Sequence, residues 1–192
     1  IAGALCVLAM GISLAPIPVL VFPILKHHNE AQALGYVVFR GALETATAML
    51  VPISMLLLLP LSEAYVQAAS PVAATLQIVG DVLMKVSDLP IAPVCFGIGA
   101  LIFYTALYQT RLIPRWISVW GFIAIALNLA TTALILFGLQ TAFDTSNTIM
   151  NFPIFLQEMV MAVWLIVKGF NPGALASLTA TARQATHAAS AS

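Results

Sequence analysis

The chain has 192 residues, of which 61% are hydrophobic and only 7% charged, with zero formal net charge and a mean hydropathy of +1.04. A soluble domain carries about a quarter Asp, Glu, Lys and Arg, so a water-soluble globular protein is excluded and a polytopic membrane protein is indicated. With no Lys/Arg cluster and no aromatic stacking motif, nucleic acid is excluded as a partner. Without the alternation of a β-barrel, the spans are helices.

Five spans are predicted in chain order. The first, about 1–25, is interrupted by Pro16, Pro18 and Pro23 and should be kinked. The polar elbow Lys26-His27-His28-Asn29-Glu30 ends it, and the second span follows at about 31–59, with Pro52 near its far end. Residues 60–88 are mixed in character. Within them Leu76, Val79, Leu83 and Val86 recur at helical intervals, predicting an amphipathic helix over about 72–86 that lies on the membrane surface. The third span, about 89–109, opens with Pro90 and Pro93. A basic turn around Arg111 and Arg115 leads into the fourth, about 114–137, where Pro114 suits a first helical turn that needs no backbone donor. A polar loop carrying Asp144 precedes the fifth span, about 149–167. Asn171-Pro172 resembles a helix start and opens an Ala/Ser/Thr-rich tail, 171–192, whose composition alone allows disorder. The sequence thus divides into a transmembrane bundle, 1–170, and a tail.

Charge placement orients the chain. One set of turns holds Lys26, Arg40, Arg111, Arg115, Lys168 and Arg183, while the opposite set holds Lys85 alone beside Glu63, Asp81, Asp88 and Asp144. Such a bias places the basic turns and the C-terminal tail in the cytoplasm. Trp116, Trp120, Tyr104 and Tyr108 fit an interfacial aromatic belt near the same turn.

Four ordered stretches carry a family resemblance. They are Phe22-Pro23-Ile24-Leu25-Lys26; Gly35-Tyr36-Val37-Val38-Phe39-Arg40 with Glu44; Leu107-Tyr108-Gln109-Thr110-Arg111-Leu112-Ile113-Pro114-Arg115-Trp116; and Glu158 followed by Trp164-Leu165-Ile166-Val167-Lys168-Gly169-Phe170. Together they resemble the bacterial multi-pass membrane proteins grouped as domain-of-unknown-function family 4386, over nearly the whole chain. The resemblance implies an all-α, six-helix inner-membrane protein, and so one helix before Ile1. It implies no reaction, cofactor or ligand, so the cofactor is unknown.

Chemistry must therefore rest on polar groups at bilayer depth, each of which costs several kcal/mol unless paired or hydrated. At 1.5 Å per residue, Arg40 lies roughly 13 Å into the second span, Glu44 roughly 20 Å, and Glu158 about 15 Å from Lys168. Tyr36, Arg40, Glu44 and Thr47 recur at i, i+4, i+8 and i+11, which places them on one helix face. Asn128 and Gln157 are expected to reach the same level from the fourth and fifth spans. Two carboxylates and one guanidinium leave one negative charge unbalanced, which a proton on one glutamate would cancel. These residues offer three readings: an ion-paired lock within the bundle, a pocket or path for a small ligand built on Arg40, Glu44, Glu158, Tyr36 and Asn128, or acid–base chemistry on a lipid.

The remaining candidates read more simply. His27 and His28 point about 100° apart on a helix, and with His187 as the third histidine no three-imidazole zinc site can be assembled, so no metal is expected. Cys6 and Cys95 sit in apolar runs and read as small buried hydrophobes. Asp81, Lys85 and Asp88 share one face of the surface helix, where i, i+4 pairing in water is the ordinary reading. There is no nucleophile elbow, HExxH or phosphate loop. Gly35, Gly41, Gly97, Gly99 and Gly121 permit close helix contact. The lipid bilayer and other membrane subunits are the expected partners. The leading expectation is a non-enzymatic accessory subunit of a larger assembly, followed by a small transporter or ligand-binding protein, then an intramembrane lipid-modifying enzyme.

Overall fold

The computed structural model describes residues 2–190, and for 182–190 the backbone alone. The side chains of Arg183 and His187, and all of Ile1, lie outside the described residues. Ten α-helices account for most of the described residues: α1 Ala2–Leu14, α2 Pro16–Leu25, α3 Glu30–Tyr36, α4 Glu44–Ala48, α5 Leu50–Gln67, α6 Ser70–Met84, α7 Ile91–Thr110, α8 Arg115–Leu136, α9 Thr145–Val167 and α10 Pro172–Ser190. A π-helical segment, Val37–Leu43, joins α3 to α4, and a 3₁₀ turn, Lys85–Asp88, follows α6. Among the described residues there is no strand. Five helical stretches are long and apolar enough to cross a membrane: Ala2–Leu25, Glu30–Gln67, Ser70–Thr110, Arg115–Leu136 and Thr145–Val167. The chain is an all-α membrane protein.

The prolines act as local chemistry dictates. The first stretch breaks at Ala15, immediately before Pro16, which cannot donate a hydrogen bond back into α1. Pro60, by contrast, lies inside α5, and the second stretch continues to Gln67 instead of ending near residue 59. Membrane helices tolerate an internal proline, and the apolar run on both sides of Pro60 carries the helix through it. The 38 residues of Glu30–Gln67 reach about 57 Å, well beyond the ~30 Å hydrocarbon core. The surplus forms a hairpin. After two residues α6 turns back along α5, with Gly80 beside Leu58 and Leu61.

The core sits elsewhere. Helices α7, α8 and α9 pack in sequence, and α3, the π segment and α4 lie on α7. Their shared interior holds Ala33, Tyr36, Ala100, Phe103, Tyr104, Leu107, Ile117, Ala124, Ile125 and Ile154, all buried. Two connections close the basic end. The Asn171 N–H donates to the Leu112 carbonyl (2.8 Å), and His28 Nε2 pairs with Gln109 Oε1 (2.9 Å). At the far end the Ala142 N–H donates to an Asp88 carboxylate oxygen (2.8 Å).

Candidate functional site

The sequence-predicted charges meet. Arg40 donates from Nη1 to Glu44 Oε1 (3.2 Å), one turn on, and from Nη2 to Glu158 Oε1 (2.7 Å) on α9. The second Glu44 oxygen is also 3.2 Å from Nη1. The first two side chains are nearly enclosed, at 11% and 9% exposure, whereas Glu158 retains 30%. Gly99, against which Arg40 packs, is about 12 Å from one end of α7 and about 16 Å from the other, so the ion pairs lie near mid-bundle.

Local backbone geometry puts Arg40 there. The Glu44 N–H donates to the Phe39 carbonyl, five residues back, the bond that defines a π turn. Arg40 thereby sits in a widened turn pressed against α7. A Cβ added to Gly99 would come within 3.1 Å of both the Arg40 backbone nitrogen and its Cβ. Only glycine admits so close an approach without displacement. The guanidinium carbon then stands 4.2 Å from the centroid of the Phe96 ring, so a cation–π contact covers the side of Arg40 that the carboxylates leave bare.

Around this centre some neutral polar groups find partners, while the buried Thr45 and Ser118 hydroxyls have none among the described residues. Tyr36 stacks on Phe103, with ring centroids 4.4 Å apart and planes 5° from parallel. The Tyr104 hydroxyl donates to Gln157 Oε1 (2.8 Å), and Gln157 Nε2 donates to the Ile117 carbonyl (3.2 Å). Gln157 is fully buried, so this bridge from α7 through α9 to α8 offsets the cost of enclosing its amide. The Thr47 hydroxyl donates to carbonyls of its own helix.

The hydrogen bonds of Asn128 lead away from this centre. Its Nδ2 donates to Asn151 Oδ1 (2.7 Å), Asn151 Nδ2 donates to Asn147 Oδ1 (2.8 Å), and Asn147 Nδ2 donates to the Ala142 carbonyl (2.7 Å). Because that carbonyl can only accept, the direction of the whole relay is fixed. Asn128 is left with a buried Oδ1 that has no partner. Thr131 joins the relay through Asn147 and Gln140. A cavity of about 150 Å³ lies here, bounded also by Ser87, Asp88 and Pro93. Asn128 thus belongs to an amide network tied to the Asp88 end of the bundle, separate in its bonding from Arg40.

The sequence reading missed Phe96, Asn147 and Asn151, and took Gly99 only as one of five glycines that permit close helix contact. Asn147 and Asn151 recur at i, i+4 on the fifth span, a pattern visible beforehand; nothing polar marks Phe96. Cys6 and Cys95 are free thiols, and neither is buried as expected: Cys6 is exposed and Cys95 half-buried, because their apolar runs face outward at these positions.

Residues 1–169, which contain every group of both networks, match the family described as Domain of unknown function (DUF4386). The chain belongs to this family. No curated protein and no solved structure matches it. In this DUF4386 chain, then, the ion-paired centre joins the second and fifth helical stretches across α7, and every charge in it has an opposite charge within 3.2 Å.

Proposed function

We propose that the protein is a non-enzymatic accessory subunit of a larger membrane assembly. The observation that carries this reading is the α5–α6 hairpin. Helix α6 has 15 residues and none is buried. Val72, Ile78, Val79, Val82 and Met84 are exposed along it, as are Leu57, Leu59, Tyr65 and Val66 on α5. A hairpin this apolar, packed chiefly on itself at the edge of the bundle, offers a neighbouring subunit a surface that the chain does not cover. The mid-bundle charges fit the same reading: Arg40 is held by two carboxylates from different helices, the arrangement of a lock.

Arg40, counted with the turns in the sequence, lies mid-bundle; the remaining Lys26, Arg111, Arg115 and Lys168 still support a C-terminal tail in the cytoplasm, and family membership fits a bacterial inner membrane. The testing measurement is the native mass after gentle extraction from the protein's own membrane. An assembly of fixed stoichiometry, lost when Ile78 and Val82 are replaced by Asp, is the expected result. A monomer or small homo-oligomer overturns it. One observation favours a second reading. The Glu158 carboxylate is 30% exposed, so a small cationic ligand reaching α9 would meet a partly hydrated carboxylate. Saturable cation binding that Glu158→Gln abolishes would establish that reading instead.

A further inference from the structure

We infer that the basic end of the bundle holds one anionic phospholipid, its phosphate among Arg111, Arg115 and Lys168 and one acyl chain along α9. A cavity of about 590 Å³ opens between the Arg111–Arg115 turn and the 168–172 connection. Its floor is buried Leu112 and Ile113, Trp164 and Phe170 form walls, and no acidic side chain lines it. None of its three cations is in an ion pair among the described residues. Asn171 also lines the cavity, and its side chain caps the first turn of α10 by accepting from the Gly173 N–H (3.0 Å). The N-terminal dipole of α10 therefore adds to the positive field.

Two further features show that the site is built. Arg115 is fixed in place, its Nε donating to the Tyr108 carbonyl (3.3 Å) and its guanidinium 4.7 Å from the Tyr108 ring centroid. Arg111 adopts φ 56°, the one positive φ at a non-glycine position among the described residues. An L-residue there costs about 1–2 kcal/mol, a position where glycine is ordinary.

The cavity's neighbour selects a lipid over a free anion. A second groove of about 390 Å³, almost wholly apolar, shares Trp164 and Lys168 with the first and continues along Met159, Val160, Val163 and Val167. From Lys168 to Met159 the helix rises about 13 Å, about the depth of one leaflet of a ~30 Å hydrocarbon core. A charged chamber at the membrane surface that runs into an apolar trough one leaflet deep matches a phospholipid headgroup and chain. Basic pockets between membrane helices are known to hold such headgroups.

The test uses Trp164 as its reporter. With Trp116→Phe and Trp120→Phe it is the sole tryptophan of the three in the chain. The full chain is reconstituted in phosphatidylcholine vesicles, and chain-brominated phosphatidylglycerol or chain-brominated phosphatidylcholine is titrated in as quencher. The expected result is stronger quenching by brominated phosphatidylglycerol. Arg111→Gln, Arg115→Gln and Lys168→Gln should each lower that preference about five-fold, while Lys26→Gln, on the same end but outside the cavity, leaves it unchanged. Circular dichroism confirms that each variant remains helical. Equal quenching by the two lipids overturns the inference. So does an equal loss in Lys26→Gln, which would show diffuse surface attraction. Relief of quenching by millimolar inorganic phosphate at constant ionic strength would show a free-anion site and overturn it as well.

Discussion

Replacing Arg40 by Met tests whether the mid-bundle charges lock the fold. The substitution keeps the apolar stem of the side chain but removes the guanidinium, and with it the contact with the Phe96 ring, leaving Glu44 and Glu158 without their cation. Glu44 is 9% exposed, so water cannot take the place of the guanidinium there, whereas Glu158, at 30%, is partly hydrated. Removing one partner of a buried ion pair costs about 3–5 kcal/mol, with most of that cost falling on Glu44. For a chain of this size it corresponds to a fall of about 10 °C in Tm. The control is Arg40→Met combined with Glu44→Leu and Glu158→Leu, which removes all the charge at once. Apolar replacement of a whole buried ionic cluster is often neutral or stabilising, so the triple variant should unfold within about 1 kcal/mol of the parent. Reversible unfolding in mixed micelles, followed by circular dichroism, measures both. A single variant as stable as the parent would refute the reasoning, as would single and triple variants destabilised alike.

Three other substitutions probe the supports around that centre. Gly99→Ala should destabilise by about 1–3 kcal/mol, because its methyl group meets the Arg40 backbone nitrogen and Cβ at 3.1 Å; unfolding midpoints would show it. Tyr104→Phe removes the donor to Gln157 Oε1 inside a fully buried bridge and should cost about 1–3 kcal/mol, read in the same assay. Arg111→Gly should raise stability by about 1 kcal/mol by relieving its positive φ while weakening phosphatidylglycerol preference, so stability and lipid quenching move in opposite directions.

What the sequence made legible follows from how scarce charge is in this chain. Arg40, Glu44 and Glu158 stood out because an ionised side chain among apolar residues must find a partner, and so few are available. The pairing of positions 40 and 158 therefore required little knowledge of the fold. The π turn was hidden, since it is a choice among backbone hydrogen bonds that Val37–Leu43 does not advertise. Gly99 was visible only as one of several small residues; its particular role depends on which helix crosses it. Asn128 was grouped with Arg40 by depth alone, and its bonding to Asn151 was hidden for a related reason. Helical rise fixes depth, but the partner of a neutral amide depends on rotation about the helix axis, and Asn147 and Asn151 bear no charge to mark them. The end set at about residue 59 is the opposite error: the polar residues beyond it outweighed, in the sequence, an apolar run that carries the helix through Pro60 to Gln67.

Polarity in this bundle is graded by depth, and the grading separates the roles of its parts. At the basic end three cations line an open cavity and have no protein counter-charge among the described residues. At mid-depth every charge is met within 3.2 Å. At the far end neutral amides bond in one fixed direction toward the Ala142 carbonyl. A membrane protein can leave cations unpaired only where water or a headgroup reaches them, so the basic end is the layer open to the membrane surface and to the lipid inferred there. The middle layer, its charges paired with one another, ties the second helical stretch to α9 across α7. The α5–α6 hairpin belongs to neither layer. It contributes no residue to the core cluster, so its exposed apolar side chains can change without disturbing the Arg40 centre. Association through the hairpin and lipid binding at the basic end should therefore be separable by substitution.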